Sequence, residues 1–251
     1  MSDEIELNLL QQIKELERKV NKLEGKDTNG TPTYSFSKIR DKELEELFSI
    51  EQKFDNPQKF DFWFDWNFSI TEDTISFLKE LITKNIMLIN FYHEEDLKIN
   101  FIAPLINKVD FFMLDKNIRS FYDEKITYIT EKFIFNGEAD FIVSKGIKKA
   151  TNPYFFIQEF KRGEDFSNPR PQLLAELISA IELNNQTSMK GAYIVGATWN
   201  FVILEKLAPN KYQYFISYDF NSTNIEDLKS IYKNLLFIKD EIINTLEEKE
   251  S

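Results

Sequence analysis

Residues 154–161 read YFFIQEFK, an apolar and aromatic run with two charged side chains near its end. Such a composition is typical of a strand that lies inside a sheet. Residues two apart on a strand face the same side, so we expect Glu159 and Lys161 to point together while Phe160 faces the core. Buried charges are costly unless they are paired or bind a metal. This strand therefore predicts a functional group of side chains, although Glu-x-Lys also occurs as an exposed pair on solvent-facing strands.

A second apolar run begins at residues 137–143, GEADFIV, and carries Asp140. Asp140 and Glu159 could share a divalent cation, and Lys161 could neutralise charge on a phosphate or hold the attacking water. Two carboxylates, the Phe160 backbone carbonyl and water form a suitable shell for Mg²⁺ or Mn²⁺. We therefore expect metal-dependent hydrolysis of phosphodiester bonds. Glu138 is either a second acid at the rim of this site or a solvated turn residue.

The composition excludes several other chemistries. The chain of 251 residues has no cysteine and one histidine, His93, which leaves almost no material for zinc sites, disulfides or histidine relays. No phosphate-binding Gly-x-x-x-x-Gly-Lys-[Ser/Thr] motif and no dinucleotide motif is present. The sequence also lacks the long apolar run of a membrane span and a signal peptide, so we expect a cytoplasmic protein with no membrane partner.

The net charge of −11 argues against binding to nucleic acid by bulk electrostatics. The excess of acidic residues lies outside residues 138–211, where basic and acidic side chains nearly balance. Within that segment Arg162, Arg170 and Lys190 are candidate phosphate contacts, and surface solubility is the alternative explanation for each.

Periodicity outside the two strands predicts an α/β protein with a mixed sheet flanked by helices. The predicted helices are 38–53, 72–89, 94–107, 171–185 and one from about 224. The predicted strands lie near 126–135, 139–144, 154–160, 191–197, 200–207 and 212–218. Six aromatic rings within residues 60–68 could stack on bases or bind a partner, but we favour an aromatic core between helices.

Four regions follow from these patterns. Residues 1–24 form a coiled-coil-like helix, 25–37 a linker, 38–90 a helical region and 91–251 the core with its C-terminal helix. The apolar positions of the first helix step by four and three, so the helix either docks on its own domain or dimerises. We favour a homodimer through residues 5–24, because the breaker-rich segment that follows would detach the helix.

The charged motifs, taken in order, resemble the PD-(D/E)XK nuclease superfamily. They are similar to the nuclease domain of type I restriction enzyme R subunits. The stretch HEEDLKINFIAPLI at 93–106 resembles the first helix of the family. Glu94 stands at the position of the glutamate that this helix carries in the family. Asp140 matches the motif aspartate, Glu159 and Lys161 the (D/E)xK pair, and Gln172 in PQLLAEL the glutamine of the next helix. The stretch at 191–201, GAYIVGATWNF, is similar to the strand, turn and strand that complete the core.

The resemblance implies a restriction-endonuclease-like fold and a magnesium-dependent endonuclease that acts on DNA. In that reading Glu94 supports the metal or water network and Gln172 orients the site. Glu94 shares a helical stripe with Leu97 and Phe101, whereas Glu95 lies further round the helix, where we expect exposure. Glu176 departs from the family pattern, in which an aromatic residue is common. It either joins the charge network or points to solvent, and we favour solvent.

A rival interpretation is a catalytically inactive protein of the same fold. Such a scaffold would bind a partner protein through its coiled coil and aromatic cluster. The acidic net charge favours the scaffold, and the intact set of Asp140, Glu159 and Lys161 favours the enzyme. The sequence does not separate DNA from RNA, or duplex from single-stranded or branched substrates.

Overall fold

The computed structural model describes residues 30–54, 57–161 and 168–250, together with Ile13 and Leu16. The helices of these residues are α1 (Asp41–Leu47), α2 (Asp61–Phe64), α3 (Glu72–Asn85), α4 (Glu94–Leu97), α5 (Ala103–Val109), α6 (Pro169–Asn184) and α7 (Ile225–Glu250). The strands are β1 (Thr33–Ser35), β2 (Ser49–Gln52), β3 (Ile118–Ile129), β4 (Ile134–Lys145), β5 (Thr151–Lys161), β6 (Ser188–Val195), β7 (Thr198–Ala208), β8 (Lys211–Ile216) and β9 (Phe220–Asn221). A π-helical turn, Lys98–Ile102, joins α4 to α5.

One mixed sheet organises the described chain. Its strands follow the order β1-β4-β5-β6-β7-β8-β2, with β3 paired to β4 and β9 to β7. The pairs β1–β4, β5–β6 and β2–β8 are parallel, and the other pairs are antiparallel. The predicted α/β class, with a large mixed sheet flanked by helices, is confirmed. The central strands are buried on both faces, which explains why their sequences are continuous apolar runs rather than alternating ones.

Helix α6 occupies one face of the sheet and is enclosed on all sides. Every residue from Pro171 to Ile181 is buried, because the helix contacts strands β3 to β7 and also the segment that contains α1. The ring of Phe48 lies 5.5 Å from that of Phe133, which precedes β4, and 5.4 Å from that of Tyr212 on β8. Strands from distant positions in the sheet therefore approach each other around this helix.

The opposite face of the sheet packs against α3, α5 and α7. Two rings from the aromatic cluster at 60–68 belong to this core, since Phe60 and Trp63 are buried. The Trp63 indole N–H donates to the carbonyl of Asn234 at 2.9 Å, which fixes α2 on α7. The predicted aromatic core is confirmed for these two rings, whereas Phe62 is 79% exposed.

The structure corrects three boundaries. The predicted helix 38–53 is wrong beyond Leu47, because residues 49–52 pair with β8 as strand β2. The predicted strand 126–135 is wrong as one element, because a turn at Thr130 separates β3 from β4. The Thr130 hydroxyl accepts the backbone N–H of Lys132 at 3.2 Å and that of Phe133 at 2.9 Å, which stabilises this turn. Part of the predicted linker, Thr33–Ser35, forms a strand parallel to β4.

The predicted coiled coil at residues 5–24 lies outside the described residues, except for two positions. Ile13 and Leu16 are helical and are 48% and 60% exposed. Pairing through this segment stays a prediction. Among the described residues, no helix is both long enough and apolar enough to cross a membrane.

Candidate active site

Three carboxylates surround the ammonium group of Lys161. Its Nζ lies 3.4 Å from Glu94 Oε1, 3.6 Å from Asp140 Oδ2 and 3.6 Å from Glu159 Oε2. The acids come from three elements, since Glu94 begins α4, Asp140 lies on β4 and Glu159 lies on β5. The structure thus brings together four of the side chains that the sequence singled out.

Backbone geometry fixes the two strands of this site. β4 and β5 pair in antiparallel register with Phe141 opposite Gln158, which sets Asp140 beside Glu159. The Phe160 N–H donates to Asp140 Oδ2 at 2.7 Å, and the Asp140 N–H donates to Glu159 Oε1 at 3.3 Å. Lys161 Nζ donates to the Phe160 carbonyl at 2.8 Å. Each acid is therefore oriented by the backbone of the neighbouring strand.

The helix that carries Glu94 is anchored by its apolar stripe. Leu97 and Phe101 are buried on that stripe, and the side chain of Glu95 is exposed, as we expected. Lys98 adds a polar anchor, because its Nζ donates to both carboxylate oxygens of Asp123 on β3, at 2.6 and 2.7 Å. These contacts hold the first turn of α4 against the sheet and present Glu94 to Lys161.

Helix α6 contributes two polar side chains from its buried length. Gln172 Nε2 donates to Glu176 Oε1 at 3.2 Å, and the side chain of Glu176 is completely buried. The expectation that Glu176 points to solvent is wrong, because α6 has no solvent-facing side over this stretch. Glu176 lies beside Glu159 and joins the charge network through it. The role of Gln172 in orienting the site stays a prediction.

Burial controls the ionisation of the acids. It raises the pKa of Glu159 well above the ordinary glutamate range, and the nearby charges of Glu176 and Asp140 raise it further. Burial likewise raises the pKa of Glu176, to about 8. Two such carboxyls in contact cannot both be ionised cheaply, so in the absence of a cation the pair favours protonation. The pKa of Glu94 is also raised, mainly by burial and against the effect of Lys161.

The surroundings of Lys161 favour its charged form, whereas those of the buried glutamates favour their neutral forms. Burial works against its charge, but the carboxylates of Asp140, Glu159 and Glu94 outweigh burial and raise its pKa. The side chain is therefore a cation at neutral pH. It can neutralise negative charge on a bound group or donate a hydrogen bond to it, and it does not serve as a proton acceptor.

The donor set suits a hard divalent cation. Neither Glu159 Oε2 nor Glu176 Oε2 accepts a hydrogen bond from the described residues, although Lys161 Nζ lies 3.6 Å from the former, so both buried oxygens have capacity to bind a cation or a proton. Asp140, Glu159 and the Phe160 carbonyl provide oxygen ligands of the kind that Mg²⁺ prefers. Among the described residues no three His, Cys, Asp or Glu side chains form a metal-binding group, so the backbone carbonyl and water would complete this shell.

Two of the three candidate phosphate contacts from the sequence are paired with carboxylates outside the site. Arg170 pairs with Asp41 at 2.5 Å, and Lys190 pairs with Glu241, so both cations are neutralised by carboxylates elsewhere. Arg162 lies outside the described residues. An open groove of about 750 Å³ instead borders Asp140 and Lys161, and it is lined by other cations that the sequence reading missed. Glu138 is exposed at this groove, close to Asp140 in the chain.

Comparison with known proteins adds no assignment. No protein-family model matches the chain, and no curated protein matches it.

Proposed function

We propose that the protein is a metal-dependent nuclease of the PD-(D/E)XK type that hydrolyses phosphodiester bonds in DNA. One observation carries the proposal: Lys161 is a largely buried cation held within 3.6 Å of Asp140 and Glu159 and within 3.4 Å of Glu94. Concentrating a largely buried cation and two largely buried acids beside a third, partly exposed acid is costly for stability. A site that has to bind both a divalent cation and an anionic substrate accounts for that cost.

Each side chain has a role that follows from its surroundings. Asp140, Glu159 and the Phe160 carbonyl would hold Mg²⁺ or Mn²⁺, which when bound supplies Lewis acidity and lowers the pKa of a coordinated water. Lys161, as a cation, would neutralise charge that develops on the phosphate or hold the attacking water. Glu94 would keep the Lys161 ammonium in place through the contact between them. Gln172 would orient Glu176 beside Glu159 through its hydrogen bond.

The order of elements supports a restriction-endonuclease-like core. The helix that bears Glu94 precedes three antiparallel strands, β3, β4 and β5, and α6 follows with its glutamine. Strand β6 then adds parallel to β5. This order agrees with the resemblance of the motifs to PD-(D/E)XK nucleases.

A cleavage assay tests the proposal. Plasmid and linear DNA are incubated with the protein and Mg²⁺ or Mn²⁺, alongside Asp140→Asn, Lys161→Ala and the exposed control Lys148→Ala. We expect cleavage by the wild type and the control, and a loss of about 10²-fold or more in the two site variants. Equal activity in the wild type and Lys161→Ala would refute the assignment of the site.

Calorimetric titration separates the enzyme from the inactive scaffold. We expect Mn²⁺ to bind the wild type and not Asp140→Asn. A protein that binds no Mn²⁺ and cleaves no nucleic acid would support the scaffold.

Cleavage of both strands of a duplex would need two sites. A homodimer through residues 5–24 would supply them, and sedimentation of the full chain against a variant lacking those residues tests that pairing. A monomeric full chain would contradict it.

A further inference from the structure

The groove beside the active site is built jointly by the segment that precedes the nuclease-like core and by strands of the core itself. Strand β1 and the turn after it form one wall, with Ser35, Ser37 and Lys38 in the lining. Lys125 on β3 lines the same groove, and Asp140 and Lys161 lie at its border. A polar, open groove of about 750 Å³ is wide enough for an extended polar ligand rather than a compact apolar one.

Besides Lys161, three cations line this groove, Lys38, Arg40 and Lys125, and none of them makes an ion pair with another described residue. Lys38 and Lys125 are exposed, and in the described part of the chain neither makes an ion pair. The Arg40 guanidinium donates to the backbone carbonyls of Ser37 and Ile39. It donates to no carboxylate of the described residues. Glu138 lies opposite Lys125 in the β3–β4 ladder and adds a negative charge to the lining of the groove.

Tight packing holds this wall in place. Ser35 pairs with Asn136 in the parallel β1–β4 ladder, and the adjacent Phe36 is completely buried. Phe36 packs directly on Gly137, where an added Cβ would lie 2.7 Å from Phe36 Cδ2. The backbone that carries Ser35, Ser37 and Lys38 is thus held next to the strand that bears Asp140, three residues beyond Gly137.

We infer that this groove binds the phosphodiester backbone of the nucleic acid strand next to the phosphate that is cut. The inference rests on the proposed function, because the groove is read as an extension of that active site. Unpaired lysine and arginine side chains together with serine hydroxyls are the groups that contact phosphate oxygens in nucleic-acid complexes. The contacts would carry no base specificity and would weaken as salt concentration rises.

Removing two groove cations tests the inference. The double variant Lys38→Ala/Lys125→Ala is compared with Lys148→Ala/Lys149→Ala, which removes the same charge from the exposed β4–β5 turn. Fluorescence anisotropy measures binding of labelled single- and double-stranded DNA and RNA in EDTA over a range of KCl concentrations. We expect the groove variant to bind about 10-fold more weakly near physiological salt, with a salt slope smaller by about 2.

The outcomes of this experiment are separable from those of the cleavage assay. Equal binding by the two double variants, or no binding of any oligonucleotide by the wild type, would overturn the groove assignment even if the protein cleaves DNA. Weaker binding in the groove variant alone supports the assignment. If the wild type then cleaves nothing with Mg²⁺ or Mn²⁺, the nuclease proposal fails while the backbone site stands. Unchanged thermal melting of both variants shows that the comparison concerns folded protein.

Discussion

Glu159 and Glu176 lie side by side, both completely buried, and each has one carboxyl oxygen that accepts no hydrogen bond from the described residues. Glu159 comes from the strand that bears the motif, whereas Glu176 comes from the helix packed on it. Two buried acids in contact favour either a shared proton or a bound cation. The pair therefore links proton binding, cation binding and stability in one place.

Stability of the metal-free protein should fall as pH rises. The pKa of Glu176 is raised in the folded state, so the native protein holds a proton that the unfolded chain has lost. This stabilisation is full below the ordinary glutamate range and disappears as pH rises to about 8. Urea unfolding in EDTA should show a loss on the order of 1.4 kcal/mol per pH unit across that window. Glu176→Gln should reduce the loss without abolishing it, because the pKa of Glu159 is also raised by burial, and the exposed control Glu95→Gln should leave the profile unchanged.

Glu94 and Glu95 form a natural matched pair. Glu94 Oε1 lies 3.4 Å from Lys161 Nζ, and its neighbour Glu95 is exposed. We expect Glu94→Ala to lower the rate of Mg²⁺-dependent DNA cleavage by about 10-fold or more, because Lys161 loses a positioning contact. Glu95→Ala should cleave like the wild type in the same time course. A larger defect in Glu95→Ala than in Glu94→Ala would contradict the orientation of α4.

Adding a side chain at Gly137 should destabilise the protein while Phe36 is present. The added Cβ would also lie 3.0 Å from Phe36 Cβ, so Gly137→Ala should cost about 1–3 kcal/mol of unfolding free energy. Gly30→Ala is the control, since nothing lies within 4 Å of its position. Chemical denaturation measures both.

A double-mutant cycle identifies the cause of that cost. In the Phe36→Ala background, Gly137→Ala should be cheaper than in the wild type, because the clashing ring is gone. Equal costs in the two backgrounds would show that Phe36 is not the reason for the glycine.

Lys190 should affect stability rather than binding of nucleic acid. Its ammonium pairs with Glu241 and lies 5.7 Å from the centre of the Trp63 ring, on the face of the sheet opposite α6. We expect Lys190→Ala to lower the unfolding free energy by about 1–2 kcal/mol. The salt slope of oligonucleotide binding, measured by anisotropy, should match the wild type. A smaller salt slope in Lys190→Ala than in the wild type would instead indicate that Lys190 contacts phosphate.

Local periodicity was enough to predict the pairing of Glu159 with Lys161, because residues two apart on a strand share a face. The inward position of Glu94 followed from helical periodicity in the same way. The sequence also indicated the mixed sheet, since its central strands are continuous apolar runs.

What the sequence did not indicate depends on distant contacts. Strand β1 has three residues and pairs with β4 about a hundred positions later, so no local pattern marks it. Glu176 is buried because surrounding strands enclose α6. Helical periodicity predicts which residues are buried only when one side of the helix faces solvent, which is not the case for α6. Lys38 and Lys125 share a groove through the β1–β4 and β3–β4 pairings alone.

The pairing of β1 with β4 and of β2 with β8 also has a consequence for synthesis of the chain. Both short strands leave the ribosome early, yet Ile50 on β2 waits for Tyr212 on β8 before its ladder can form. Such long-range closure is slow compared with local helix formation. The wall beside Asp140 likewise forms only after β4 has been made, and the lining of the groove is complete only when the chain extends through Gln172.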